Sequence, residues 1–230
     1  MKTERCCAVV PAFCEAATIG GVVSGLRQLG IDVIVVDDGS SDSTASVASA
    51  HGAHVVRHET NSGKGAALQT GISLALERGY DWIATLDGDG QHDPQDLATL
   101  MEAAARMAAD IICGNRMASP SGMPWIRRLT NRTMSRWISR AAGSDIPDSQ
   151  CGFRLYRAEL LRHLRCGSTR FEWESEILLR AAASGARIIS APVRCIYGGE
   201  RSKIRPIRDT LRFWRMWRQV LRELRHSRNR

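Results

Sequence analysis

Apolar residues along this chain fall into two alternating rhythms. Short β-rich runs at Cys6–Phe13, Asp32–Val36, His54–His58, Trp82–Leu86 and Asp110–Cys113 are flanked by turn residues and predict strands. Between them, Thr18–Leu29, Ser43–Ala50, Gly65–Arg78 and Asp96–Met107 repeat Leu, Ile and Ala at helical spacing. Asp42-Ser43 precedes the second helix as a cap, and Pro94 stands near the start of the fourth. Such alternation implies right-handed βαβ crossovers and a doubly wound, mainly parallel α/β sheet.

After Arg116 the pattern changes. Met117–Pro124 reads as a polar loop and Trp125–Ala142 as a helix. A strand follows at Gly152–Tyr156, a helix at Glu174–Ala183, a strand at Arg187–Cys195 and a basic helix after Pro206. No repeat or low-complexity linker interrupts the chain. The reading is one domain over residues 1–205, with 206–230 as a basic amphipathic helix that either belongs to it or extends along a membrane surface.

Composition changes this picture in one respect. The net charge is +8, and Glu200–Arg230 alone holds eleven Lys/Arg against three Asp/Glu. A basic tail on a near-neutral body points to a localised anionic partner. Leu211, Trp214, Trp217, Leu221 and Leu224 lie on one face of that helix and six arginines on another, which suits a lipid interface; the alternative is packing on the domain with a solvated arginine face. Trp125–Trp137 repeats the Trp/Arg composition, with Arg128 and Arg132 as candidate phosphate contacts or plain surface charges. Seven cysteines with irregular spacing indicate neither a disulfide framework nor a zinc site and fit a reducing cytosol. No signal-peptide stretch and no apolar run of 18 residues is present, so the expectation is a cytoplasmic chain, peripheral at the inner membrane face.

In open parallel sheets, ligands bind beyond the carboxyl ends of the strands. Three polar clusters fall there: Pro11–Glu15, Asp37–Ser40 and Asp87–His92. So many carboxylates on one rim are disfavoured unless they share a cation. Asp87 and Asp89, with Gly88 and Gly90 allowing close approach of a diphosphate, have the oxygen chemistry of a Mg²⁺ or Mn²⁺ site. Lys64, in Asn61-Ser-Gly-Lys-Gly65, is either an anion site at a helix start or a solvated lysine beside a glycine turn. Ala66 departs from the kinase phosphate loop, and no GxGxxG follows the first strand.

In chain order, Val9–Glu15, Val35–Ser40, Asn61–Gly65, Asp87–Pro94, Gly114–Arg116, Asp148–Arg154 and Ser202-Lys203 resemble the motifs of family 2 glycosyltransferases with the GT-A fold, in the polyprenyl-phosphate mannose and glucose synthase branch. The resemblance implies that Pro11, Phe13, Glu15, Val36 and Asp38 hold the donor nucleoside. It implies that Asp87, Asp89 and Gln91 bind the divalent metal, and that Arg116 and Lys203 face phosphates. It also implies an inverting transfer from a nucleotide sugar to a polyprenyl phosphate, an anion that needs no base. Asp148 stands where relatives with alcohol acceptors carry one; its other reading is a cap or salt bridge within the site. Tyr197 occupies a position that mannose synthases give to arginine, and Asp148–Arg154 is closer to the glucose type, so base and sugar stay open. The rival readings are a hydroxyl-acceptor enzyme using Asp148 as base, a nucleotidyltransferase, for which Pro11–Glu15 lacks the glycine-rich loop, and a non-enzymatic protein binding nucleic acid through its tail. The tail has no recognised nucleic-acid motif, so no nucleic-acid partner is expected.

Overall fold

The run Cys6–Ala12 forms strand β1 and is buried at every position. It has no polar face because helices cover both sides of the sheet. Ala8, Val10 and Ala12 point into one core layer and Cys7 and Val9 into the other. The computed structural model describes residues 4–120, 122–196 and 206–228. After β1 come α1 (Ile19–Gln28), β2 (Asp32–Asp37), α2 (Thr44–Ala50), β3 (His54–Arg57), α3 (Lys64–Glu77), β4 (Trp82–Thr85), α4 (Asp96–Met107) and β5 (Ile111–Asn115). Every expected element of this half is present, with ends shifted by a few residues. The Asp42-Ser43 cap takes a different form: the side chain of Asp42, rather than that of Ser43, accepts hydrogen bonds, from the Thr44 N–H and hydroxyl.

The second half runs α5 (Trp125–Ala142), β6 (Arg154–Arg157), α6 (Ala158–His163), α7 (Trp173–Ala183), β7 (Ile188–Pro192) and α8 (Pro206–Arg228). Helix α6 is an addition to the expected set. The seven strands lie in the order β3-β2-β1-β4-β6-β5-β7. All neighbours are parallel except β6, which runs antiparallel to both β4 and β5. Its direction follows from the chain's path. Arg154, the first residue of β6, pairs with Thr85 and Cys113 at the carboxyl ends of β4 and β5. The segment entering β6 therefore crosses the rim where ligands bind in such sheets.

Phe213, Met216 and Val220 of α8 are buried in the core layer that also holds Ile138, Ile177 and Leu178. For these residues, packing on the domain is the observed arrangement. Among the described residues no helix is long and apolar enough to cross a membrane.

Candidate functional site

Pro11 marks where the crevice opens. The β1–β4 pairing ends at Val9↔Thr85, whereas β1–β2 continues to Ala12↔Asp37. Val9 accepts from Leu86 N, so alternate residues of β1 face β4 and Pro11 falls just past the end of that pairing. A residue without an N–H costs no ladder bond there. The side chains of Pro11 and Val36 are buried, Val36 among Val9, Leu68 and Ile72. Phe13 lies beyond the strand, exposed, and Glu15 is half-buried.

Asp38 is buried at the end of β2. Its Oδ1 accepts from Ser62 N at 2.9 Å and lies 2.7 Å from His58 Nδ1; its Oδ2 accepts from Gly63 N at 2.8 Å. One carboxylate thus ties down the loop that leads into α3. Gly63 has φ of +105°, and a Cβ there would come within 2.5 Å of the Thr169 carbonyl oxygen, so a glycine is required.

That loop delivers Lys64 to a cluster with Asp87 and Glu174. Lys64 Nζ is 2.7 Å from Asp87 Oδ1 and 3.0 Å from Glu174 Oε1. Burial disfavours the ammonium, but the two carboxylates outweigh it and hold Lys64 protonated above its ordinary range. Burial likewise opposes ionisation of Asp87, and Lys64 beside it prevails, keeping its carboxyl below the usual range. Two carboxylates share one ammonium here, which leaves local negative charge. Gly152 lines the same space: a Cβ would meet Glu174 Oε1 at 2.8 Å, Lys64 Nζ at 3.0 Å and Asp87 Oδ2 at 3.1 Å. Next along, Gly88 packs against Ala12 and Ile19, Thr18 Oγ1 donates to the Gly88 carbonyl, and Asp89 Oδ1 accepts from Gln91 N.

The second charged centre lies at the carboxyl end of β5. Arg116 Nε donates to Asp148 Oδ2 at 2.8 Å and its Nη2 to Oδ1 at 3.0 Å; Arg116 N also donates to Oδ2, and Asn131 Nδ2 to Oδ1 at 2.7 Å. The Asp148 side chain is fully buried, at 0% exposure. Burial alone would raise its pKa, but the Arg116 and Asn131 bonds outweigh it and hold it below the carboxylate range. His92, buried against Phe153, is pushed down to about 4 by burial and stays neutral near pH 7. Lys203 lies outside the described residues.

The profile described as Glycosyl transferase family 2 matches residues 7–165. The chain belongs to that family. An undecaprenyl-phosphate mannosyltransferase from Micrococcus luteus is 31% identical over 204 residues, covering 82% of each chain. A UDP-N-acetylglucosamine–dolichyl-phosphate N-acetylglucosaminyltransferase from Methanococcus voltae is 29% identical, over 82% of this chain and 84% of the relative. Among solved structures, mannosyl-3-phosphoglycerate synthase from Rubrobacter xylanophilus superposes with a TM-score of 0.73 at 20% identity, over 99% of this chain and 76% of that one. Glucosyl-3-phosphoglycerate synthase from Mycobacterium tuberculosis, solved with Mn²⁺, UDP and phosphoglyceric acid, gives 0.71 at 21% identity, over 96% and 78%. The fold is GT-A, and the protein is a glycosyltransferase.

In this glycosyltransferase, no group of three or more His, Cys, Asp or Glu among the described residues is gathered to hold a metal alone. The donors present are nevertheless of the right kind. Asp87 and Asp89 are hard oxygen ligands, and the glycine at 152 keeps the space beside Asp87 Oδ2 from being filled by a side chain. Mg²⁺ is commonly bound through one or two carboxylates completed by substrate phosphates. The residues therefore fit a cation that arrives with the donor. The structure also brings in three residues not expected from sequence: Glu174, Asn131 and His58. Asn131 stands three residues from Arg128 in the expected Trp125–Ala142 helix, and His58 closes the expected His54–His58 strand 20 residues beyond Asp38, but nothing local marks Glu174, 110 positions beyond Lys64.

Proposed function

We propose that this glycosyltransferase moves a hexose from a nucleotide-diphosphate sugar to a polyprenyl phosphate, with inversion at the sugar carbon, at a membrane surface. The observation that carries this reading is the state of Asp148. A hydroxyl acceptor requires a base to remove its proton in the transition state. Asp148 is the carboxylate at the matching position, and it is buried with both oxygens engaged by Arg116 and Asn131. A phosphate acceptor is already an anion and needs no base. The relatives from Micrococcus luteus and Methanococcus voltae are named for lipid-phosphate acceptors, which supports the same choice.

The chain's own residues then have separable tasks. Pro11, Phe13, Glu15, Val36 and Asp38 would bound the nucleoside pocket. Asp87 and Asp89, with Gln91, would hold Mg²⁺ or Mn²⁺, whose positive charge stabilises the departing diphosphate. Lys64 and Lys203 would add cationic charge on that side. Two of the five guanidinium N–H donors of Arg116 go to Asp148, which fixes its plane and leaves the others for an acceptor phosphate. An acceptor phosphate oxygen forms the new bond to the sugar carbon as the bond to the diphosphate breaks, and no proton is transferred.

The test is turnover of GDP-mannose, UDP-glucose and UDP-N-acetylglucosamine with Mn²⁺ or with EDTA, in the presence and absence of a short polyprenyl phosphate. Transfer from one donor that requires both metal and the lipid phosphate is expected. Transfer to a sugar or other hydroxyl acceptor, with the lipid phosphate ignored, would overturn the acceptor assignment.

A further inference from the structure

An acceptor held in a bilayer requires the protein to dock on it, and the structure singles out which surface does so. Helix α5 opens with Trp125, Ile126 and Leu129, exposed at 73%, 60% and 59%. Three large apolar side chains so exposed within one helical turn are a cluster, unlike singly scattered surface hydrophobics. At 100° per residue, Trp125, Leu129, Arg132, Arg136 and Arg140 fall within an arc of about 80°, with Ile126 beside it. The other side of the helix carries the buried Asn131, Ser135 and Ile138. One outward face is therefore apolar at its N-terminal end and purely basic along the remainder.

The order along that face identifies the partner. Arg132 lies about 10 Å behind Trp125 along the axis, and Arg136 and Arg140 follow at steps of about 6 Å. Interfacial side chains bury about 5–10 Å into the boundary between headgroups and acyl chains, where tryptophan is favoured. An α5 that enters tip first would set Arg132 at the level of the lipid phosphates. The 18 residues of α5 include five arginines and no acidic residue. None of those arginines makes an ion pair among the described residues, and Asp145 is the acid lining the cleft beside them. The α8 stripe offers a weaker cluster: Leu211 and Trp214 are exposed at 54% and 37%, whereas Trp217, Leu221 and Leu224 are half-buried on the side where Phe213, Met216 and Val220 enter the core. Its outer Trp214 packs at a tilt against Trp137, with ring centres 5.2 Å apart, which braces the base of α5.

We infer that the N-terminal end of α5, through Trp125, Ile126 and Leu129, inserts into an anionic bilayer leaflet while Arg132, Arg136 and Arg140 bind its headgroups. This rests on the lipid-acceptor reading for its purpose, but its test needs neither donor nor acceptor. The full chain is incubated with vesicles of phosphatidylcholine alone or with about a third phosphatidylglycerol, and binding is read by co-sedimentation. Binding to the anionic vesicles is expected. The variant Trp125→Ala/Ile126→Ala/Leu129→Ala should lose at least about tenfold of it, and Arg132→Gln/Arg136→Gln/Arg140→Gln should lose the preference for anionic lipid. With lipids brominated near the headgroup, quenching of tryptophan emission should largely vanish in Trp125→Phe, although the other five tryptophans remain. A circular dichroism spectrum and urea midpoint of the triple alanine variant, unchanged from the parent, would establish that these losses are not misfolding. Absence of vesicle binding by the parent, or a triple alanine variant that binds as the parent does, would overturn the inference. If vesicles are bound as described but no lipid phosphate is glycosylated, the acceptor reading fails and the docking surface stands.

Discussion

Two carboxylates of this protein each face a cation, yet one is buried and the other half-buried, and they are built for opposite purposes. Asp148 meets a guanidinium in a bidentate fork, a side-chain amide and a backbone N–H, and is closed to solvent. Asp87 meets an ammonium that it shares with Glu174, and its side chain is 29% exposed with a glycine beside its second oxygen. An arginine fork matches both carboxylate oxygens, whereas lysine is a point charge on a flexible stem. The first arrangement fixes geometry. The second keeps a carboxylate ionised while leaving room for a stronger cation. Electrostatics alone does not separate them, since both groups are held below the normal carboxylate range; access and denticity do.

The sharpest way to break this contrast is at Asp87. Asp87→Ala should lower transfer by about a thousandfold, the scale of removing a main electrostatic element of a transition state, and should weaken Mn²⁺-dependent donor binding. Because Asp87 helps keep Lys64 buried as an ion, this variant should be compared with Asp87→Asn, and the two should fail alike if charge on the metal side is what matters. Residual turnover within tenfold of the parent would remove Asp87 from the metal.

Gly152→Ala tests the open space itself. The added methyl would press on Glu174, Lys64 and Asp87 at 2.8–3.1 Å without removing any charge. Weakening of metal-dependent donor binding by about 10–100-fold is expected, the range seen when groups just behind metal ligands are disturbed. Calorimetric titration with and without Mn²⁺ reads it directly, and donor binding in EDTA should change much less.

Asp148→Asn sharpens the other side. It leaves a buried guanidinium without its counter-charge and turns one acceptor into a donor facing Arg116 or Asn131. Breaking a buried pair in this way costs about 3–5 kcal/mol, visible as a lower urea midpoint. Loss of a general base costs about 10²–10⁴ in rate and would erase the acidic limb of a pH–rate profile, along which the base loses its proton. A positioning role instead predicts a smaller fall in kcat, with the profile unchanged in shape.

The split between legible and illegible parts follows the same physics. Strand–helix alternation in the first 115 residues repeats at short range, so the elements through β5 and the rim with Pro11, Asp38 and Asp87 could be read from local pattern. The four-residue β6 carries no periodicity that fixes its direction, and that direction is set by where α5 returns the chain. Whether Asp148 is a base or an ion-pair partner therefore had no local answer: its partner sits 32 residues away, on the far side of α5 in sequence. Glu174 was hidden for the same reason. The apolar stripe of α8 was visible in the sequence, but not that Phe213, Met216 and Val220 pack into the core.

Glu176 offers the mildest probe, because it acts on the Lys64 side only through the loop behind it. Its carboxylate accepts from Gly167 N at 3.0 Å, Ser168 N at 2.8 Å and Arg180 Nε at 2.6 Å. The Thr169 carbonyl of that loop in turn accepts from Ala66 N at the start of α3. Burial opposes ionisation of Glu176, but the bonds from Ser168, Gly167 and Arg180 prevail and hold its carboxyl below the ordinary 4.5. A carboxyl depressed in the folded state stabilises it fully above the unfolded value, and that contribution is lost as pH falls through the folded value. Glu176→Gln should therefore cost about 1.5–3 kcal/mol near pH 7, the scale of hydrogen bonds to a charged group. The difference from the parent should close below pH 4.5, where the parent's carboxyl becomes protonated and resembles the amide. Urea midpoints measured from pH 7 to pH 3 would read this convergence. A gap that stays constant over the range would mean that the side chain's shape, rather than its charge, holds the loop that positions Lys64.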